Sequence, residues 1–302
     1  MSGMYRNFEE LLDLARKEGA PLWRIILENE MQISGKSEEQ IFARLEKTFG
    51  VMERSASRAL ETPLSSVGGL ITGVSSRQNA YAQSGRTFCG AALNRLMALA
   101  LSCSEVNASM GKICAAPTAG ACGIVPAVLI VVRDQLGLTR DETLKGLITA
   151  SGVGAIIMAN ATVSGAEGGC QAECGTAAAM AAAAAVELAG GPPETAADAC
   201  CFALMNAMGL VCDPVAGLVQ VPCAQRNASQ AVNALLSADL ALGGMHSIIP
   251  PDEVIGAMYS TGRMLPVQLR ETAQGGLAAT PTAKRLFQEI FRENPLKDSA
   301  ES

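Results

Sequence analysis

An all-α fold is the prediction for this chain of 302 residues, and three observations lead to it. Alternation of apolar and polar residues with a period of two, which is typical of strands, is hard to find. Alanine, leucine and methionine far outnumber the aromatic residues, which make up 4% of the chain. Signals for helix starts and ends recur along the sequence. We therefore expect a single compact helical domain with buried helices rich in Ala and Gly.

The first sixty residues read as charged, amphipathic helices. Ser37 followed by Gln40 has the pattern of a capping box, and it opens a helix with apolar residues at helical spacing. That apolar face consists of Ile41, Leu45, Phe49 and Met52. Because neither a linker nor an internal repeat follows, we predict that residues 1–60 form a helical arm of the same domain as the catalytic region 61–302.

Later helices are marked by their boundaries. Thr139 with Glu142 is a second capping box, and a Gly-Gly pair at 190–191 should stop an alanine-rich helix over 176–189. Pro-Pro pairs at 192–193 and 250–251 are typical of the residues that begin a helix. A short amphipathic helix is expected near the carboxyl end.

Composition and charge exclude some classes of function. The net charge is −6 and the pI is near 5.0, with 23 basic residues placed mostly towards the two ends, which argues against a nucleic-acid-binding surface. The amino terminus lacks the apolar segment of a signal peptide, so we expect a cytoplasmic protein whose ten cysteines are reduced. Small molecules and protein are the expected partners.

Two uncharged runs, 113–132 and 146–166, are long enough to span a membrane. Both are rich in Gly, Ala, Ser and Thr, and Pro117 and Pro126 interrupt the first. The region also has almost no Trp or Tyr for interfacial belts. We expect buried core helices and no membrane association; a membrane protein with small-residue helix packing remains the alternative.

The stretch 164–227 carries the strongest signal for a functional site. Cys170, Cys212 and Cys223 each stand beside polar or charged residues in an otherwise apolar region. Between Lys145 and Arg263 the only Lys or Arg is Arg226, three residues after a cysteine. A single cation in an uncharged region indicates a specific partner for its charge.

Cysteine thiolates suit zinc or an iron-sulfur cluster. For zinc, the best set is Cys170, Cys174, Cys212 and Cys223, but the chain has no Cys-x-x-Cys pair. Three widely spaced cysteines would instead suit a cluster with three irons on thiolates and a fourth iron open. Burial as small apolar residues is the ordinary alternative for any one of them.

Two glycine-rich segments, 65–73 and 115–123, can bring backbone N–H groups close to a carboxylate or phosphate. Neither matches the phosphate-loop or dinucleotide-binding pattern. Close helix packing or plain turns would also explain the glycines. The residues expected to contact substrate here are Ser65, Ser66, Gly68, Gly69, Thr118 and Gly120.

Three long segments carry a family resemblance: GKICAAPTAGACGIVPA (111–127), SGAEGGCQAE (164–173) and GLVCDPVAGLVQVPCAQRNA (209–228). They closely resemble the iron-sulfur L-serine dehydratases of bacteria, also called L-serine ammonia-lyases. The likeness covers roughly residues 60–280. The chain length is similar to that of the alpha chain in the two-chain form, in which a separate beta chain carries what single-chain relatives have at their amino end.

The resemblance implies that Cys170, Cys212 and Cys223 hold a [4Fe-4S] cluster within the helical domain; it gives no such role to Cys174. An open iron would act as a Lewis acid on the substrate hydroxyl. The implied reaction removes water from L-serine and yields pyruvate and ammonia. The family's favoured base is a histidine of the beta portion, so a beta chain should complete the site; the role of His246, the sole histidine here, stays open.

The remaining candidates are charged or polar residues near these motifs. Arg226 is expected to bind the substrate carboxylate, with Asn227 beside it and Lys112 as the next cation. Glu167 is a catalytic candidate. Glu167, Glu173 and Asp213 could each orient the substrate ammonium or tune the cluster; helix capping or hydrogen bonding around the site is the alternative for all three. No pyridoxal phosphate is expected, because neither Lys112 nor Lys145 has a phosphate-binding loop. Elimination from cysteine or threonine is the alternative activity, and a structural zinc protein is the alternative class.

Overall fold

This computed structural model describes residues 3–292, and that part of the chain contains thirteen α-helices. A single π-helical turn, Gln171–Gly175, precedes α9, and within residues 3–292 the one isolated strand-like pairing joins Cys212 to Arg270. The all-α prediction is confirmed. The helices are α1 (Phe8–Glu18), α2 (Leu22–Ser34), α3 (Glu38–Arg58), α4 (Val74–Gln83), α5 (Gly90–Ala108), α6 (Ile124–Leu136), α7 (Arg140–Asn160), α8 (Gly165–Gly168), α9 (Thr176–Leu188), α10 (Pro193–Ala207), α11 (Cys223–Leu242), α12 (Pro251–Met264) and α13 (Pro281–Arg292).

Helix α9 is the centre of the core. Eight of its thirteen residues are alanine, and its residues 176–186 are all buried. Small side chains let neighbouring helices approach closely, and α6, α7, α10 and α11 all pack on it. Gly154 of α7 shows how tight this is, because a Cβ there would lie 2.9 Å from Sδ of Met180. The expected burial of Ala- and Gly-rich helices is confirmed.

The amino-terminal helices share this core. Phe8, Leu11 and Phe49 are fully buried and belong to the same hydrophobic cluster as α9. Helix α2 packs on α7, and α3 packs on α5 and α6. The predicted capping box of Ser37 and Gln40 begins α3.

The other predicted helix boundaries are also confirmed. Thr139 and Glu142 form a capping box at the start of α7. Helix α9 ends at Leu188, just before Gly190, whose φ of 78° favours glycine. Helices α10 and α12 begin at the second proline of their Pro-Pro pairs.

Two helical windows pass a length and composition test for a membrane span: Ala119–Leu136 and Arg140–Asn160. Of each window, 67% is buried inside the protein. The core helices of soluble proteins pass the same test, so their apolar character is accounted for by packing around α9.

Candidate active site

The three predicted cysteines lie on segments that fold against one another. Cys170 precedes the π-helical turn, Cys212 lies in an extended segment, and Cys223 begins α11. A hydrogen bond from Gln171 N to Leu210 O, 3.1 Å long, joins the first two segments. The fold therefore brings together residues that are more than forty positions apart in sequence.

The π-helical turn fixes the residues after Cys170. Such turns are rare and often occur at functional sites. The buried side chain of Gln171 accepts a hydrogen bond from Gly209 N at 2.8 Å and donates one to Met258 O at 3.0 Å. This amide therefore ties the turn to the end of α10 and to α12.

The three thiols are close enough to affect one another's pKa. A hydrogen bond from Cys174 and the charge of Arg226 lower the pKa of Cys170 despite its burial. Burial raises the pKa of Cys223 to about 12, and the charges of Cys170 and Glu173 add to the effect. Burial, then Glu173, Cys170 and Cys223, also raise the pKa of Cys212. Of the three, Cys170 therefore forms a thiolate most readily in the free protein.

Arg226 is the cation of this site, and protein groups already occupy its guanidinium. Nη2 donates to Oδ1 of Asp213 at 2.9 Å, and Nη1 donates to the carbonyl of Val211. Its charge also faces the thiol of Cys170. Arg226 therefore fastens α11 to the segment that carries Cys212.

Glu173 lies at the centre of the cysteine cluster. Oε1 accepts a hydrogen bond from Oγ1 of Thr118 at 2.7 Å, and Oε2 is 3.9 Å from Sγ of Cys212. The backbone leaves space for it, because a Cβ on Gly165 would lie within 2.4 Å of Oε2 and one on Gly120 within 3.1 Å of Oε1. Burial raises the pKa of this carboxyl.

Asn227 joins the second glycine-rich segment to the same site. Its Nδ2 donates to Gly120 O at 2.6 Å and to Cys223 O at 2.8 Å, and its Oδ1 accepts from Gly123 N at 2.8 Å. The segment containing Thr118 is thereby held against α11. Asn227 is 1% exposed, so it supports this turn from the buried side.

The first glycine-rich segment lies further out. Ser65 and Gly69 are exposed, whereas Ser66 is buried and accepts a hydrogen bond from Ile71 N. Gly68, with φ 69°, packs against Ile290 of α13. A hydrogen bond of 2.6 Å from Gln220 Nε2 to Val67 O connects this turn to the loop before Cys223.

One predicted residue, Lys112, and the histidine, His246, lie in other places. Lys112 lines a cleft with Glu46, Glu53 and Arg140, which belong to α3 and α7. His246 is exposed, pairs with Asp198 at 2.9 Å and borders an apolar groove of α10 and α11. Neither is brought to the three cysteines by any contact described for residues 3–292.

Glu167 is exposed and lies in a cleft of about 380 Å³ beside the site. Its Oε2 accepts a hydrogen bond from Thr162 Oγ1 at 2.6 Å. The same cleft contains Tyr259, Arg263 and Arg270. Sequence reasoning did not single out these three residues, although all of them lie within the range 60–280 that the family resemblance covers.

The arrangement of the cysteines decides which metal group they could hold. Within residues 3–292, no group of three or more His, Cys, Asp or Glu side chains is arranged to hold a metal ion. The predicted zinc set is therefore not gathered around one point. A four-iron cluster would instead take each thiolate on a different iron. Cys170 and Cys212 are buried, Cys223 is partly buried, and the pKa values of these thiols depend on one another, so they are the residues that would hold such a cluster.

Comparisons of the chain with known proteins identify its family. A family model described as serine dehydratase alpha chain matches residues 17–278. A probable L-serine dehydratase, alpha chain, from Bacillus subtilis is 46% identical over 288 residues, which are 95% of this chain and 96% of the relative. The L-serine dehydratase, alpha chain, of Peptoniphilus asaccharolyticus is 44% identical over 96% of this chain and 99% of its own.

A longer relative matches as well. The L-serine dehydratase of Streptomyces coelicolor is 37% identical over 91% of this chain, which corresponds to 60% of that protein. The matches to separate alpha chains extend over nearly their full length, and the family model covers most of the helical domain described above. The resemblance seen in the three motifs therefore holds for the chain as a whole, and the chain belongs to the serine dehydratase alpha chain family.

Proposed function

We propose that this chain is the alpha subunit of an L-serine dehydratase, which removes water from L-serine and releases pyruvate and ammonia. The observation that carries the proposal is that Cys170, Cys212 and Cys223 lie close together beside Arg226. Relatives that match nearly the full length of this chain are named L-serine dehydratase alpha chains. The cytoplasm, where thiols stay reduced, is the proposed location.

The proposed cofactor is a [4Fe-4S] cluster held by Cys170, Cys212 and Cys223. When bound, it would supply a Lewis-acidic iron that makes a hydroxyl a better leaving group. Arg226 supports this assignment because its positive charge offsets thiolate charge in a region with little solvent. We propose this role for Arg226 in place of substrate binding, since its charge is already paired with Asp213 and its Nη1 donates to the carbonyl of Val211.

One wall of the site next to the thiols consists of Glu173, Thr118 and Gly120, and we expect the substrate to bind beside it. Glu173 offers a carboxylate among the thiols, where it can take part in proton transfer. The hydroxyl of Thr118 donates a hydrogen bond to that carboxylate, and the absence of a side chain on Gly120 lets the backbone lie close to it. Asn227 supports the turn that bears both residues.

The proposed partner is a beta chain that supplies the base for the α-proton. His246 is exposed, follows the end of α11 and pairs with Asp198 of α10, and no contact described for residues 3–292 brings it to the thiols, so it does not support a base within this chain. The longer relative from Streptomyces coelicolor has about two fifths of its length outside the part this chain matches, which leaves room for such a contribution.

The first experiment is to measure iron and acid-labile sulfide per chain after purification without oxygen or detergent. About four of each per chain, followed by pyruvate formation from L-serine when the beta chain is added, is the expected result. Rates with L-threonine and L-cysteine then establish substrate preference. Failure to take up iron and sulfide even after reconstitution would remove the mechanism, and recovery only in detergent would favour the membrane alternative.

A further inference from the structure

Arg270 has a hydrogen-bond donor that no protein group uses. Its Nε is buried and without a partner among residues 3–292. Its Nη1 has one long hydrogen bond, 3.5 Å, to the carbonyl of Glu167. A buried N–H left unpaired costs roughly 1–3 kcal/mol, so such an atom calls for an explanation. An anion bound beside the guanidinium would satisfy it.

The backbone holds Arg270 directly next to the cysteine site. Cys212 N donates to Leu269 O and Glu271 N donates to Cys212 O, both at 2.8 Å, so the two segments pair on either side of Arg270. Glu271 adopts a φ of 63°, which is unusual for a residue other than glycine. The chain thus turns sharply just after presenting Arg270.

The cleft around Arg270 contains charges of both signs. Arg263 lies on the same wall, with Nη1 3.2 Å from the hydroxyl of Tyr259, and Glu167 provides a carboxylate. A free α-amino acid has the matching pair of charges, because it carries a carboxylate and an ammonium group on one carbon. At about 380 Å³ the cleft has room for a small amino acid together with water.

The cleft also adjoins the thiols. It is lined by Ala166 and Glu167, and the preceding residue, Gly165, is so close to the site that a Cβ there would lie 3.2 Å from Sγ of Cys212. Arg226, the cation expected from sequence to bind the carboxylate, already pairs with Asp213 and donates to the carbonyl of Val211. Arg270 is therefore the better placed cation for this purpose.

We propose that the cleft of Ala166, Glu167, Tyr259, Arg263 and Arg270 binds the amino-acid substrate by its two charged groups. Arg270 takes the carboxylate, and Glu167 takes the ammonium. This inference rests on the proposed dehydratase function. It assigns Arg270 as a specificity-determining residue that selects free amino acids over amines.

The test uses the variants R270Q and R270K, with R285Q as a matched control because Arg285 is an exposed arginine paired with Glu289 on α13. Iron and sulfide per chain should be equal in all of them. With the beta chain present, KM for L-serine should rise at least tenfold in R270Q, less in R270K and not at all in R285Q. For L-serinamide, which lacks the carboxylate, wild type and R270Q should have the same KM.

A binding measurement separates this inference from the proposed function. Calorimetric titration of the alpha–beta complex with L-serine at low temperature should give binding heat for wild type and R285Q and none for R270Q. If R270Q binds serine and has an unchanged KM while wild type forms pyruvate, Arg270 is not the carboxylate site and the dehydratase proposal stands. If R270Q and R270K both lose iron, Arg270 acts by holding the Cys212 segment, and the inference is overturned. If wild type holds no cluster and forms no pyruvate, the proposed function fails, and the titration alone decides whether the cleft binds an amino acid.

Discussion

Arg226 and Asp213 form a buried ion pair, with Nη2 2.9 Å from Oδ1 and side chains that are only 16% and 4% exposed. The second oxygen of Asp213 accepts a hydrogen bond from Leu277 N at 2.8 Å. One carboxylate therefore holds α11, the Cys212 segment and the loop after Arg270 together. Removing one member of a buried pair is costly because the other charge is left uncompensated.

We expect D213N to lower the free energy of unfolding by about 3 kcal/mol and to reduce iron per chain. Urea unfolding and iron analysis measure the two effects. D252N is the matched control: Asp252 caps α1 by accepting from Phe8 N and Glu9 N, so this variant should lose about 1 kcal/mol and keep its iron. Equal iron in D213N and wild type would show that the ion pair does not maintain the cysteine site.

The cysteine assignment gives a second prediction. Replacing Cys170, Cys212 or Cys223 with Ala should each abolish the intact cluster, as measured by iron, sulfide and visible absorption. C103A and C200A should retain it, because both residues are fully buried in the main hydrophobic cluster, and each change should cost only about 1 kcal/mol of stability. Loss of iron from either control would mean that the ligand set is wrong.

Glu173 provides a third prediction, because its carboxylate is the one that lies among the thiols. E173Q keeps an oxygen to accept the hydrogen bond from Thr118 but removes the charge. We expect kcat/KM for L-serine to fall about 100-fold or more, with unchanged iron, since a positioned acid–base group typically contributes that much. E194Q alters an exposed carboxylate that pairs with Arg16, and its activity should equal that of wild type. An active E173Q enzyme would leave Glu173 with a packing role.

The helices were predictable because their signals are local. The capping boxes at Ser37 and Thr139 each require only residues three positions apart, and they begin α3 and α7 as expected. The alanine run of α9 likewise indicates a helix whose neighbours can pack closely. Such features do not depend on where the rest of the chain goes.

The site was predictable only in part because its contacts are not local. Arg226 stood out as the sole cation in a long stretch, and it does lie beside Cys170. The position of Arg270 depends on pairing with Cys212, 58 residues earlier, which no sequence pattern indicates. Lys112 is the next cation near the motifs in sequence, but sequence position does not determine the face on which a side chain lies, and Lys112 lines a cleft with α3.

Glu187, at the end of α9, gives a prediction about stability and pH. Its Oε2 accepts hydrogen bonds from Thr149 Oγ1 at 2.9 Å and from Trp23 N at 3.3 Å. Burial raises the pKa of this carboxyl from 4.5 to about 7 in the folded chain. Between these two values the unfolded chain loses the proton while the folded chain keeps it, so stability falls as pH rises through that range.

E187Q removes this effect because glutamine stays neutral and can accept the same hydrogen bonds. At pH 8 the variant should be more stable than wild type by about 2 kcal/mol, less than the full value of about 1.4 kcal/mol per pKa unit because the carboxyl is partly exposed. At pH 4.5 the two proteins should unfold at the same urea concentration. The surface variant E194Q should differ from wild type by the same small amount at both pH values. A gain for E187Q that is equal at pH 4.5 and pH 8 would attribute the difference to packing rather than to the titration of Glu187.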